Sequence, residues 1–220
     1  MTADPASIST AAPTWLHRIV ETIRTETGSF EISDCHTAPS LRVVHDWYTR
    51  ALGPMLIEAS ATRGGSSAQE AVQAMHIRAL AGEALTEDAW YTALEPALRE
   101  IFEHAYPYTR AYTTAATAAS AYAASHGYPD DEARRYGDSY AELNTTANAR
   151  VHATANAKAH ARALARAFSA GSTTAYTETY PSARLRAAVR SATADDPTRA
   201  PAIWSHLAET LGESLTRASS

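Results

Sequence analysis

The chain has 220 residues, 45% of them hydrophobic, a net charge of -5 and a single cysteine, with a mean hydropathy of -0.30. That length supports one domain with its own core, while one cysteine excludes an intramolecular disulfide. No apolar run approaches the roughly 20 residues of a membrane span, and an acidic chain without a long basic stripe lacks a nucleic-acid profile.

Residues 1–12 read as a disordered N-terminal tail, without the basic start and apolar stretch of a signal peptide. A cytoplasmic location is the expectation, and residues 13–218 read as a single helical domain. Thr14 caps a helix whose apolar stripe is Trp15, Leu16, Ile19, Val20 and Ile23, stopped by Gly28. A loop follows, containing Asp34, Cys35 and His36. Ser40 caps the next helix, in which Pro54 predicts a kink. Ser67 and Glu70 have the spacing of a capping box, and Thr86 caps a helix carrying Pro96. Pro107 breaks or bends the chain before an Ala/Thr/Tyr-rich helix ending near His126.

Next comes a segment in which nearly every second residue from Asn148 to Ala167 is alanine. Alternation suggests a strand, but alanine, asparagine and lysine are poor strand formers and alanine is the best helix former. Gly137 predicts a break, so a short helix is expected at 130–136 and a long central one at about 138–170, stopped by Gly171. The long one would run roughly 45–50 Å. Pro181 opens a further helix, and residues 200–217 form a final amphipathic one. No strand pattern survives. The fold expectation is therefore an all-α single-domain bundle of seven or eight helices, several bent by proline.

Charge is uneven. Residues 143–190 carry seven cations against one acid, Glu178. Eighteen of the nineteen basic residues are arginine, which with the alanine content suggests the GC-rich, actinobacterial type of composition. Along the long helix, Asn144, Asn148, His152, Asn156 and His160 recur every fourth residue. Four residues turn a helix by about 400°, so the ladder drifts and no single face holds it. A face through Tyr136, Tyr140, Asn144, Asn148 and Val151 continues into Lys158, Arg162 and Arg166. The 108–126 helix has a matching face with Tyr108, Tyr112 and Tyr122.

Two alanine-rich faces with phenols between them leave space for a small organic molecule. In the expected site, Tyr108, Tyr112, Asn144 and Asn148 orient the substrate, and Arg162 and Arg166 hold an anionic group. His152 moves a proton, assisted by Tyr140 and Lys158. The alternative is plain helix packing through the alanines. Other acid–base candidates are His45, His104 and His126.

Nucleotide-binding and nucleophile-elbow motifs are absent. No cofactor is expected; Glu100 with His104, one turn apart, is the alternative pair for a non-haem metal. The functional expectation is a small-molecule-binding protein, an enzyme or enzyme subunit of bacterial specialised biosynthesis acting on a polar or anionic substrate. The competing readings are a non-catalytic helical accessory protein that binds a partner chain and a metal-dependent helical-bundle oxygenase. Besides the substrate, a partner protein or a second copy in a homodimer is the expected partner. Neither nucleic acid nor membrane is expected as a partner.

Overall fold

The structure is a computed structural model describing residues 14–30 and 40–219. The expected tail at 1–12 and the loop residues Asp34, Cys35 and His36 lie outside the described residues.

The protein is an all-α bundle. In chain order the helices are α1 (Thr14–Thr27), α2 (Leu41–Trp47), α3 (Gly53–Thr62), α4 (Ser67–Leu80), α5 (Glu87–His104), α6 (Tyr108–Ser125), α7 (Asp130–Ser169), α8 (Thr173–Thr177), α9 (Pro181–Ala192) and α10 (Ala200–Ser219). Among the described residues no helix is long and apolar enough to cross a membrane.

Local signals explain most of the boundaries. Ser40 Oγ accepts from the Arg42 amide at 3.3 Å, and Thr86 Oγ1 from the Ala89 amide at 3.2 Å. At α4 the expected cap is one residue off. Ser66 is the N-cap, and its hydroxyl meets the Glu70 carboxylate at 2.6 Å. Pro96 is absorbed inside α5, whereas Pro107 separates α5 from α6.

Pro54 produces a π turn rather than a simple kink. Residues Tyr48–Leu52 join α2 to α3 as π-helix, and the Gly53 amide bonds back to the Tyr48 carbonyl. Proline has no amide to continue the four-residue ladder, and one extra residue in the turn accommodates it.

The largest departure from expectation is at Gly137. It breaks nothing: α7 is one helix of 40 residues, roughly 60 Å long. Gly137 is instead where α6 and α7 touch. A Cβ there would collide with Ser120 Oγ and lie 2.6 Å from the Ala116 carbonyl oxygen.

The buried line of α7 runs Ala133, Gly137, Ala141, Thr145, Ala149, Ala153, Ala157, Ala161, Ala165, a strict period of four. It drifts about 40° per step and winds most of the way round the helix. The partners follow it antiparallel. Tyr112 reaches Asp138, Tyr108 reaches Thr146, and the Phe102 ring lies beside the His152 and His160 rings. Tyr108 and Tyr112 of α6 meet the flank carrying Asp138 and Thr146, and on the other side of the break at Pro107, Tyr106 and Phe102 meet the histidine flank.

The two halves of α7 differ. From Ala153 to Phe168 it belongs to the main core with Trp15, Ile19, Trp90, Leu164, Leu207 and Leu211. Before Ala153 neither α7 nor α6 contributes to that core, and α6 packs chiefly on α7. A two-helix hairpin therefore stands off the bundle.

Gly137→Ala should destabilise the protein by about 1–3 kcal/mol, because overpacking against a carbonyl outweighs the gain of about 1 kcal/mol in helix propensity. At Gly212 in α10, an added Cβ would meet nothing within 4 Å, so Gly212→Ala should stabilise by up to about 1 kcal/mol. Urea unfolding midpoints of the two variants check the opposite signs.

Candidate functional site

The seam between α6 and α7 is filled by Ala, Gly, Ser and Thr. This corrects the expectation of a hollow there. Tyr108 and Thr146 hydroxyls meet at 3.1 Å, Tyr112 donates to Asp138 at 3.3 Å, and Asn148 donates to Asn144 at 3.4 Å. Tyr140 is exposed and lies beside Tyr136. His152 is exposed, packed on Tyr106 and Phe102. Lys158, Arg162 and Arg166 are exposed, and Arg166 faces Glu87 at 3.9 Å. The expected site residues are thus spread over α6 and the length of α7 and do not converge on one pocket.

The enclosed space is elsewhere. A cavity of about 70 Å³ lies within the main bundle, lined by residues of α1 to α5, the π turn, α7, α8 and α9. Its walls are largely aliphatic and aromatic. The polar side chains on it are Tyr48, Gln69, His76, Tyr176 and Arg184, together with the indole of Trp47.

Each polar group arrives on an otherwise apolar face. Leu41, Val44, His45 and Tyr48 follow i, i+3, i+4, i+7, and so line one side of α2 into the π turn. Gln69, Val72 and His76 do the same on α4. Arg184 follows Pro181 on the first turn of α9.

His45 and His76 form the centre. Their Nδ1 atoms are 2.8 Å apart, and both rings are buried. The His76 ring stacks on Tyr48 at 4.0 Å, the His45 ring on Trp90 at 5.7 Å, and Phe168 touches both imidazoles. Burial lowers the His45 pKa to about 4, with Arg42 adding to the effect. Burial also holds His76 well below its ordinary value, helped by His45 and Arg184. Both are neutral at pH 7. A single proton lies between the two Nδ1 atoms, so one ring is the Nδ1–H tautomer and the other carries its proton on Nε2. Burial likewise pushes the Tyr48 phenol above its usual value, with Arg184 opposing and Glu100 reinforcing the shift.

Gln69 is fully buried. Its Nε2 donates to the Ala97 carbonyl at 3.0 Å and to Glu100 at 3.1 Å, but its Oε1 has no partner. Glu100 also accepts from the Ser60 hydroxyl. Of the alternative metal pair, Glu100 is engaged by Ser60 and Gln69, and half-buried His104 lies one turn further along α5. Among the described residues no group of three or more His, Cys, Asp or Glu side chains gathers to hold a metal.

Arg184 is half-buried. Its Nε and Nη2 donate to the carbonyl and hydroxyl of Thr179 at 3.1 and 3.0 Å. The guanidinium lies 5.4 Å over the Tyr176 ring. No carboxylate pairs with it among the described residues, and Nη1 makes no hydrogen bond there. Next to it, burial and then Arg184 lower the His160 pKa, partly offset by the Thr179 carbonyl.

Comparison of the chain with protein-family models, with curated proteins and with solved structures gives no match. Only the chemistry of the cavity bears on function.

Sequence reasoning had His45 as an acid–base candidate and missed Tyr48, Gln69, His76 and Arg184. The available signal was a polar side chain at an apolar position of an amphipathic stripe, which Tyr48, Gln69 and His76 all show.

Two buried neutral histidines link stability to pH. Their folded pKa values lie below the unfolded value near 6.5, so their contribution is full above pH 6.5 and is lost as pH falls towards about 4. The unfolded chain then binds up to two more protons than the folded one, a slope of up to about 2.7 kcal/mol per pH unit. Denaturant unfolding at pH 7, 6 and 5 should show this fall, and His45→Asn should roughly halve the histidine part of the slope. Parallel slopes for variant and parent would contradict it.

Proposed function

We propose that the protein binds a small organic acid in the bundle cavity and acts on it, or presents it, through acid–base chemistry. The observation that carries this reading is Arg184: a half-buried guanidinium on an apolar cavity with no carboxylate partner among the described residues. Buried charges are ordinarily paired, and the ligand's carboxylate would complete this one. The compact apolar body of the acid would lie against Tyr48, Phe102, Phe168 and the aliphatic wall. The unpartnered Gln69 Oε1 would accept a hydrogen bond from a hydroxyl or amine on the ligand.

The histidine pair supplies the proton chemistry. As an acceptor, His76 Nε2 takes a proton from the ligand while its Nδ1–H passes to His45 Nδ1, and His45 releases its own Nε2 proton to water. The pair returns to neutrality with its tautomers exchanged, which suits two imidazoles that do not hold a charge at neutral pH. The class of ligand agrees with the polar or anionic substrate expected from the sequence, at a different place in the fold.

The test uses propionate and 1-propanol as matched acid and neutral probes, small enough for a cavity of about 70 Å³. Propionate at saturation should raise the melting temperature by several degrees, since a ligand at 100 times its Kd stabilises by about 2.7 kcal/mol. Arg184→Leu should abolish the propionate shift and leave the smaller propanol shift. A propionate shift of full size in Arg184→Leu, or none in the parent protein, would reject the reading.

A further inference from the structure

The alternate alanines of α7 are two interleaved period-four lines. One is the buried seam through Ala141, Ala149, Ala157 and Ala165. The other, two residues out of phase and so about 200° round the helix, is Leu143, Ala147, Val151, Ala155, Ala159 and Ala163, all exposed. Leu143 and Val151 are 75% and 68% exposed, more than any other large hydrophobic side chain described. They sit roughly 12 Å apart on one line of one helix. Exposed apolar side chains scattered singly need no explanation, whereas a contiguous patch does. Tyr136 and Tyr140 extend this one.

Charge is ordered about the same place. From 130 to 142, α7 carries five acids and two arginines; from 143 to 166 it carries four cations and no acid. Arg150, Lys158 and Arg162 have no ion pair among the described residues, nor do Glu132 and Glu142. The midpoint between Leu143 and Val151 is Ala147, and the midpoint between Glu142 and Arg150 is Thr146. Apolar and charged groups are therefore arranged symmetrically about one point, with the sign of charge inverted across it.

We propose that this face of α7 binds a second copy of the chain, antiparallel, across a two-fold axis beside Thr146 and Ala147. Leu143 of each copy packs on Val151 of the other, and Glu142 of each pairs with Arg150 of the other. A two-fold in the plane of the interface keeps the Glu142 and Arg150 flanks on the same side, so both pairs form at once. It also sets the acidic half of each helix level with the cationic half of its mate, Glu132 opposite Arg162 and Tyr136 opposite Lys158. A parallel pairing would set like charge against like. An isologous contact requires this self-complementarity, whereas a different partner gives no reason for the inversion to centre on the apolar patch.

The four-residue ridge implies a crossing near -50°. Direct contact is then confined to the turns around Ala147. The charges next to the crossing act through solvent within a Debye length of about 8–10 Å, while Glu132 and Arg162, about 22 Å along the helix from the axis, act only as a weak orienting field at low salt. The surface lies on the opposite side of α7 from its seam and is remote from the cavity, so dimerisation is independent of ligand binding there.

The test uses the full chain. Sedimentation equilibrium should show a dimer that weakens with salt. Val151→Glu and Glu142→Arg should each raise the dimer dissociation constant at least about tenfold with helical content unchanged by circular dichroism, and Glu142→Arg with Arg150→Glu should restore it to within about threefold. In a Cys35→Ser background, Ala147→Cys should form a covalent dimer on mild oxidation, because a residue on the axis meets its own copy within disulfide reach. Thr117→Cys, exposed on α6, should not. A chain that stays monomeric up to about 100 µM would overturn the proposal. So would a dimer indifferent to both single variants, a charge-reversed pair that is not restored, or an Ala147→Cys chain that does not cross-link.

Discussion

The close approach of α7 to α5 and α6, along a seam with no side chain larger than threonine until Leu164, is the constraint on which the rest of the structure depends. A four-residue period overshoots the helical repeat, so the seam cannot face one partner for 40 residues. The chain solves this by breaking its antiparallel partner at Pro107, which lets α6 follow the seam on one flank and α5 on the other. Small side chains bury little area, and alanine contributes little of the hydrophobic term on its own. Closeness of backbone and dispersion hold the hairpin, while the half of α7 after Ala153 gains the larger contributions of Leu164 and Phe168 inside the bundle. Stability is accordingly graded along the helix, lowest at the hairpin tip and highest in the core.

The cavity has a comparable local cause. Val44, Tyr48, Leu52 and Leu56 recur at four-residue steps, and in a regular helix they would drift off the core as the α7 seam does. The π turn at Tyr48–Leu52 widens the helix where Pro54 removes a donor, and the four side chains line one cavity. The same turn sets the Tyr48 ring flat on His76. Gly53 belongs to this arrangement, because a side chain there would run into Gln73. Polar groups placed by such irregularity are costly unless satisfied, and here the orphaned acceptor of Gln69 and the unpaired cation of Arg184 border one space.

Much of the fold was legible. Ser40, Thr86, Pro107, Pro181 and Gly171 mark helix ends for reasons local to the chain, and the amphipathic stripe of α1 names its own buried face. Gly137 was misread because a glycine in a helical pattern has two meanings, a break or a close contact, and only the partner helix decides which. The polar ladder of Asn144, Asn148, His152, Asn156 and His160 was visible but not its cause. Each rung precedes a buried residue of the seam, so the ladder is the flank of a packing line and not a row of ligands. The expected site residues do not gather at one pocket for a geometric reason: Tyr140, Lys158 and Arg162 share a face that turns outward once the alanines take the inside. Tyr48, Gln69 and His76 were passed over because single polar residues on apolar stripes look like ordinary core positions until two helices bring them together.

By itself the sequence determined the helical class and most helix ends, because capping, proline stereochemistry and apolar periodicity act over a few residues. Only the tertiary structure decided which of two alanine lines on α7 is buried, that Gly137 joins instead of breaking, and that two histidines 31 residues apart share a proton. Those outcomes depend on contacts between segments distant in the chain, and no local spacing encodes them.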